Sequence, residues 1–172
     1  NNMMKNYLLL LTATLFSISG MAQQAGAAKR MSYTNAGAPI PNFIITKTTG
    51  GTLTNEQLTK GKPVMIMIFS PECEHCELFL DSLKTIRNDF KTTQVVLVAE
   101  ERHKDQMASF VARTKAKDDP VFGTIGTNKG ELIAAIYTNK ILPQIVFYDN
   151  YHKLIKIFDG QYLFKDVAKY VK

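Results

Sequence analysis

Val64-Met65-Ile66-Met67-Ile68-Phe69, followed at once by Ser70-Pro71-Glu72-Cys73-Glu74-His75-Cys76, is the stretch that decides the fold. Its apolar half shows no polar alternation, which suits a central strand buried on both faces. After Ser70-Pro71-Glu72 the period changes. Leu78, Leu80, Leu83, Ile86 and Phe90 follow helical spacing, which predicts a helix from about Cys73 to Phe90. A buried strand giving way to a helix here puts Cys73 at the helix N-terminus, where unpaired backbone N–H groups and the helix dipole favour an anion. A thiolate is such an anion, and cysteines in this setting have pKa values of roughly 3.5–7.5. His75, when protonated, would add to that effect. Glu72, Glu74 and Glu77 oppose it, because nearby carboxylates raise a thiol pKa.

Cys73 and Cys76 are the chain's 2 cysteines, and three readings of the pair compete. As a structural disulfide they would close a loop of about four residues and contribute only about 2 kcal/mol, less than longer loops give. As zinc ligands they would need His75, His103 or His152 to complete the set, and the last two lie far off in sequence, whereas structural zinc takes closely paired ligands. As a redox pair they need nothing beyond their position at a strand-to-helix junction.

Outward from this centre, strands and helices alternate. Upstream, Asn42–Thr46 reads as a strand, Gly50-Gly51 turns the chain, and Thr52–Thr54 returns as a hairpin arm. Thr54 and Gln57 fit a capping box opening a short helix that Gly61 stops. Downstream, Gln94–Ala99 reads as a second buried strand, and about Lys104 to Thr114 as a second helix. Asp118 to Thr127 holds an apolar piece of undecided type, and Glu131–Thr138 looks helical. Gln144–Tyr148 and Lys153–Phe158 form strands around an Asp149-Asn150 turn, and Leu163 to Val171 closes the chain as an amphipathic helix. This order argues for an α/β sandwich with a central mixed sheet flanked by helices.

The chain has 172 residues, 45% of them apolar and 21% charged. That composition excludes collagen-like, low-complexity and disulfide-rich mini-scaffold classes. Residues 1–22 read as a secretory signal: Lys5 precedes an uncharged run from Tyr7 to Ile18, too short to span a bilayer, and Gly20-Met21-Ala22 supplies small residues for cleavage. Residues 23–38, rich in Ala, Gly, Gln and Ser, read as a flexible linker, and 39–172 as the folded domain. The expected location is exported and periplasmic, soluble after cleavage, with anchoring by an uncleaved N-terminal segment as the alternative. The net charge of +6 is scattered, with Arg113, Lys115 and Lys117 answered by Asp118 and Asp119, so no nucleic-acid partner is expected.

The strand–CxxC–helix unit, Leu142-Pro143 before a later strand, and the closing hairpin and helix resemble the thioredoxin fold. The added N-terminal β-hairpin, with Pro39 to Phe43, Gly50-Gly51 and Gly61-Lys62-Pro63, resembles the TlpA/ResA-like (redoxin) branch of secreted thiol–disulfide oxidoreductases. The resemblance covers roughly residues 38–172. It implies that Cys73 is the exposed nucleophile, that Cys76 is the buried resolving thiol, and that the redox-active Cys73–Cys76 disulfide serves without a further cofactor or metal. It also implies that Pro143 is a cis-proline beside the pair, with Leu142 lining a substrate groove, and that His75 tunes the nucleophile's pKa. Protein thiol or disulfide clients, a membrane electron-donor protein and a monomeric state are the implied partners and assembly.

Some positions depart from that pattern. Glu72 stands where these families usually keep Trp, Met67 where thioredoxin keeps a buried acid, and Phe79 where the TlpA/ResA-like branch keeps an acid three residues after the second cysteine. A proton relay would then fall to Glu100 or Glu77. A histidine before the second cysteine resembles disulfide-forming members, whereas the hairpin resembles reducing ones, so the reductive direction is expected with His75 opposing it. Two alternatives share the fold. A peroxiredoxin-like peroxide reductase would match Ser70 three residues before Cys73, though Ile66 stands where its proline is expected. A Sco-type copper-binding protein would need CxxxC spacing and a distant histidine, His103 or His152.

Overall fold

The computed structural model describes residues 33–137 and 141–171. The proposed signal segment and most of the linker lie outside the described residues. Seven strands form one sheet in the order β2-β1-β5-β4-β3-β6-β7. They are β1 (Ile44–Lys47), β2 (Thr52–Thr54), β3 (Val64–Ile68), β4 (Gln94–Glu100), β5 (Ile125–Asn128), β6 (Gln144–Tyr148) and β7 (Leu154–Phe158). The α-helices lying wholly within the described residues are α1 (Glu74–Thr85), α2 (Met107–Thr114), α3 (Glu131–Ile136) and α4 (Phe164–Ala168).

β3 lies at the centre, parallel to β4 and antiparallel to β6, with all five of its residues buried. Successive side chains point to opposite faces. Met65, Met67 and Phe69 therefore join one core with Cys76, Leu80, Leu83 and Phe110. Val64, Ile66 and Ile68 join the other with Leu132, Ile133 and Ile136. A parallel β3–β4 pair requires a crossover, and α1 supplies it, burying Cys76, Leu80 and Leu83 on the stripe that spacings of four and three create.

The expected helix to Phe90 ends earlier. α1 stops at Thr85 and a single 3-10 turn, Arg87–Asp89, follows. Ser82 and Thr85 donate their hydroxyls back to the Leu78 and Ser82 carbonyls at 2.9 and 2.7 Å, a competition that weakens helix ends. The tighter turn delivers Phe90 edge-on to Phe122, ring centroids 5.3 Å apart. The helix expected from Lys104 likewise opens as a 3-10 segment, Glu101–Gln106, before α2. α3 and α4 are each shorter than the sequence pattern suggests. The capping box forms as expected, Thr54 N–H donating to Gln57 Oε1 at 2.9 Å, but it opens only a 3-10 turn.

The undecided piece before Thr127 resolves into β5, which joins the hairpin to the rest of the sheet, antiparallel to β1 and parallel to β4. Gly126 makes this approach feasible: a Cβ there would sit 2.3 Å from the Thr46 carbonyl oxygen. Buried Asn128 completes the junction, donating to the Ile44 carbonyl at 2.9 Å and accepting from the Gly130 and Leu132 N–H groups at 3.0 and 3.1 Å. The described unit begins at Tyr33, within the stretch that composition assigns to the linker. Gly37 N–H donates to the Leu154 carbonyl, Leu154 N–H donates to the Ala38 carbonyl, both at 2.8 Å, and Ala38 is buried.

Candidate functional site

The site sits where β3 ends and α1 begins. Cys73 is the N-cap of α1, its backbone extended at φ −92° and ψ 104°. Its sulfur accepts the Cys76 N–H at 3.2 Å, one of the donors a helix start leaves unpaired. Cys73 and Cys76 are joined as a disulfide, their Cα atoms 5.3 Å apart. Cys73 is half-buried whereas Cys76 is fully buried. Cys73 is thus partly open to solvent at the edge of a core, whereas Cys76 lies within that core, among Met67, Phe69, Leu80 and Phe110.

The loop before β6 closes over the pair. Its Leu142–Pro143 peptide is cis, and the Leu142 carbonyl oxygen lies 3.9 Å from Cys73 Sγ. An open groove of about 620 Å³ runs along this loop and is lined by His75, Leu78, Phe79, Ile141, Leu142, Pro143, Tyr162 and Phe164 among others. Leu78 and Ile141 are about half exposed, at 58% and 48%, so the groove presents apolar surface beside Cys73. Phe79 is not an isolated replacement for an acid: it meets Tyr162 and Phe164 edge-on, each at 5.8 Å, in an aromatic floor. His75 is exposed at the groove's mouth.

On the other side of Leu142 a second recess, of about 410 Å³, is lined by Ile68, Phe69, Glu100, Arg102, His103 and Tyr137. Glu100 Oε2 pairs with Arg102 Nε at 2.7 Å. Burial and the Glu100 carboxylate push the Tyr137 hydroxyl above its ordinary pKa, with Arg102 working against them. His103 Nδ1 lies 3.9 Å from a Glu72 oxygen. Among the described residues, no group of three or more His, Cys, Asp and Glu side chains converges in a way that could hold a metal ion.

The structure therefore gathers Cys73, Cys76, His75, Leu142 and Pro143 into one site. Glu100 stands across the loop, in the polar recess. Glu77 is taken up by Arg113, whose guanidinium also donates to the Pro71 carbonyl at 2.9 Å and Ser109 Oγ at 2.7 Å. That contact raises the Arg113 pKa and places a cation against one of the two carboxylates in the first turn of α1. Sequence reasoning missed Arg113, which reaches Glu77 from 36 positions away. It also missed Tyr162, whose hydroxyl donates to the Pro143 carbonyl. No local pattern signals either contact.

The sequence model of the AhpC/TSA family matches residues 36–159. No curated protein sequence matches this one at a significant level. Among solved structures, the chain is similar to a protein from Chlorobium tepidum assigned as the thiol:disulfide interchange protein DsbE, with 19% identity, a TM-score of 0.67 and coverage of 80% of this chain and 96% of that one. It is similar to the thioredoxin domain of a thiol-disulfide oxidoreductase from Bacteroides vulgatus at 18% identity and a TM-score of 0.64, covering 80% of this chain and 99% of that one. A third neighbour is a secreted Mycobacterium tuberculosis disulfide oxidoreductase, described as homologous to E. coli DsbE, at 20% identity and a TM-score of 0.60, with 75% and 93% of the two chains covered. These likenesses establish a thioredoxin-like fold, with its mixed sheet flanked by helices.

Proposed function

The chain belongs to the AhpC/TSA family, a redoxin family of thioredoxin-like oxidoreductases, and from that premise we propose that it exchanges disulfides with protein thiols through Cys73 and Cys76. The direction proposed is reductive and the branch TlpA/ResA-like. The observation that carries this reading is the asymmetry of the pair: Cys73 half-buried at the helix N-cap under the Leu142 carbonyl, Cys76 fully buried behind it.

In the reduced state Cys73, as thiolate, attacks one sulfur of a client disulfide. A mixed disulfide forms and the client's other sulfur leaves as a thiolate that takes up a proton. Cys76 then loses its proton and attacks Cys73 Sγ, the Cys73–client bond breaks, and the second client sulfur leaves. The client gains two electrons and two protons, and the pair ends as the Cys73–Cys76 disulfide. The Cys76 N–H stabilises charge on Cys73, and His75 adds to this when protonated. The Leu142–Pro143 loop and the apolar groove receive the client's extended chain. The disulfide pair needs no further cofactor. A membrane thiol donor would restore the dithiol, and the working form would be an exported, periplasmic monomer. No described helix is long and apolar enough to cross a membrane.

Insulin reduction with dithiothreitol as electron source tests the reading. Wild-type protein should catalyse it and Cys73→Ser should abolish it; full activity in both Cys73→Ser and Cys76→Ser would end the proposal. The family match favours a second reading, reduction of a peroxide at Cys73. Thiol-dependent peroxide consumption faster than insulin reduction would favour that reading instead.

A further inference from the structure

The β6–β7 ladder ends at the pair Ile145 and Phe158. Beyond it Gly160, at φ 71°, turns the chain in the left-handed region that favours glycine. The Pro143 carbonyl lies past the ladder's last pair, and a carbonyl removed from water without a partner is costly. The Tyr162 hydroxyl, two residues after Gly160, donates to it. The same ring stands edge-on to Phe79 at 5.8 Å and against Phe158 at 5.7 Å. One side chain thereby joins the loop over the cysteines, the helix that carries them and the end of β7. Burial, with Asp159 nearby, pushes the Tyr162 pKa well above the ordinary tyrosine range, so the hydroxyl remains a donor at neutral and mildly alkaline pH.

We propose that Tyr162 is a positioning residue, whose hydroxyl fixes the Leu142–Pro143 loop at the height over Cys73 where an extended protein client docks. The inference rests on the disulfide-exchange reading above and adds a division of labour to it. A small disulfide needs only the Cys73 sulfur, whereas a polypeptide must also lie against the loop. The Tyr162 hydroxyl therefore serves polypeptide clients and is indifferent to small ones.

Tyr162→Phe removes one oxygen and keeps the ring against Phe79 and Phe158. With insulin as substrate, KM should rise about fivefold, the factor that a neutral hydrogen bond of ordinary strength carries, while kcat stays within about twofold. The rate at which pre-reduced protein cleaves the small disulfide 5,5′-dithiobis(2-nitrobenzoate) should not change, nor should the reduction potential of the pair. Equal losses with insulin and the small disulfide would show a general structural role and overturn the proposal, as would no change with either. Wild-type protein inactive on both would overturn the exchange reading itself, so the two failures are distinguishable.

Discussion

Reducing the Cys73–Cys76 bond should destabilise the folded chain by about 2 kcal/mol. The disulfide joins residues three apart, closing a loop of about four residues, for which the chain-entropy relation gives about 6 cal/mol/K, or about 2 kcal/mol at 25 °C. One interaction works the other way: the Cys76 N–H, 3.2 Å from Cys73 Sγ, strengthens when that sulfur becomes a thiolate. Exposed Glu72 and Glu74 oppose that gain, so the disulfide form should stay the more stable. Urea unfolding of the oxidised and dithiothreitol-reduced protein reads the difference directly. With an m-value of about 2 kcal/mol/M, the midpoint should fall by about 1 M on reduction. Closing the thermodynamic cycle, the same 2 kcal/mol places the folded couple about 40 mV below the couple of these residues in the unfolded chain. That is the sign a reductant needs. A reduced form as stable as the oxidised form, or more so, would refute the reasoning and mark the pair as an oxidant, with His75 and the helix N-terminus prevailing over the carboxylates.

Other expectations concern the frame around the pair. Leu80→Ala, at a fully buried α1 position one turn beyond Cys76, should cost about 2–5 kcal/mol in urea unfolding, the range for a leucine cavity. Arg113→Gln should slow client reduction at neutral pH by about threefold, because it strips Glu77 of its cation and leaves a carboxylate near Cys73. Adding Glu77→Gln should restore the rate, and a double variant as slow as the single one would contradict the electrostatic account. Tyr148 and Tyr162 are both pushed up by burial, so above pH about 10 the unfolded chain releases their protons while the folded chain keeps them. The stability this contributes is complete below that pH and is lost as the pH climbs toward the folded values. Urea midpoints at pH 8–11 should therefore fall less steeply in Tyr148→Phe, whose buried hydroxyl has no hydrogen-bond partner among the described residues.

What was legible in the sequence was local. The apolar run at β3, the change of period after Pro71 and the Thr54–Gln57 box are read within a few residues, and each formed where expected apart from helix lengths. β5 was not legible, because Ile125-Gly126-Thr127-Asn128 has little strand propensity of its own. It is a strand because Gly126 lets β1 pass close by and Asn128 bonds to both β1 and the start of α3. At the site, Cys73, Cys76 and Pro143 stand out by spacing and by resemblance. The Arg113–Glu77 and Tyr162–Pro143 contacts join residues 36 and 19 positions apart, and only the packing of α2 against α1, and of the chain beyond β7 against the loop, brings them together. The sequence also left Glu77 open as a proton relay. In the structure its carboxylate is held by Arg113.

Trapping tests the central claim most directly. Cys76→Ser protein, reduced and mixed with oxidised insulin, should accumulate a mixed disulfide that mass mapping places on Cys73, because the half-buried sulfur attacks and the resolving thiol is gone. The Cys73→Ser protein, left with a fully buried Cys76, should form almost none. Adducts of equal yield in the two variants, or none in Cys76→Ser, would contradict the account.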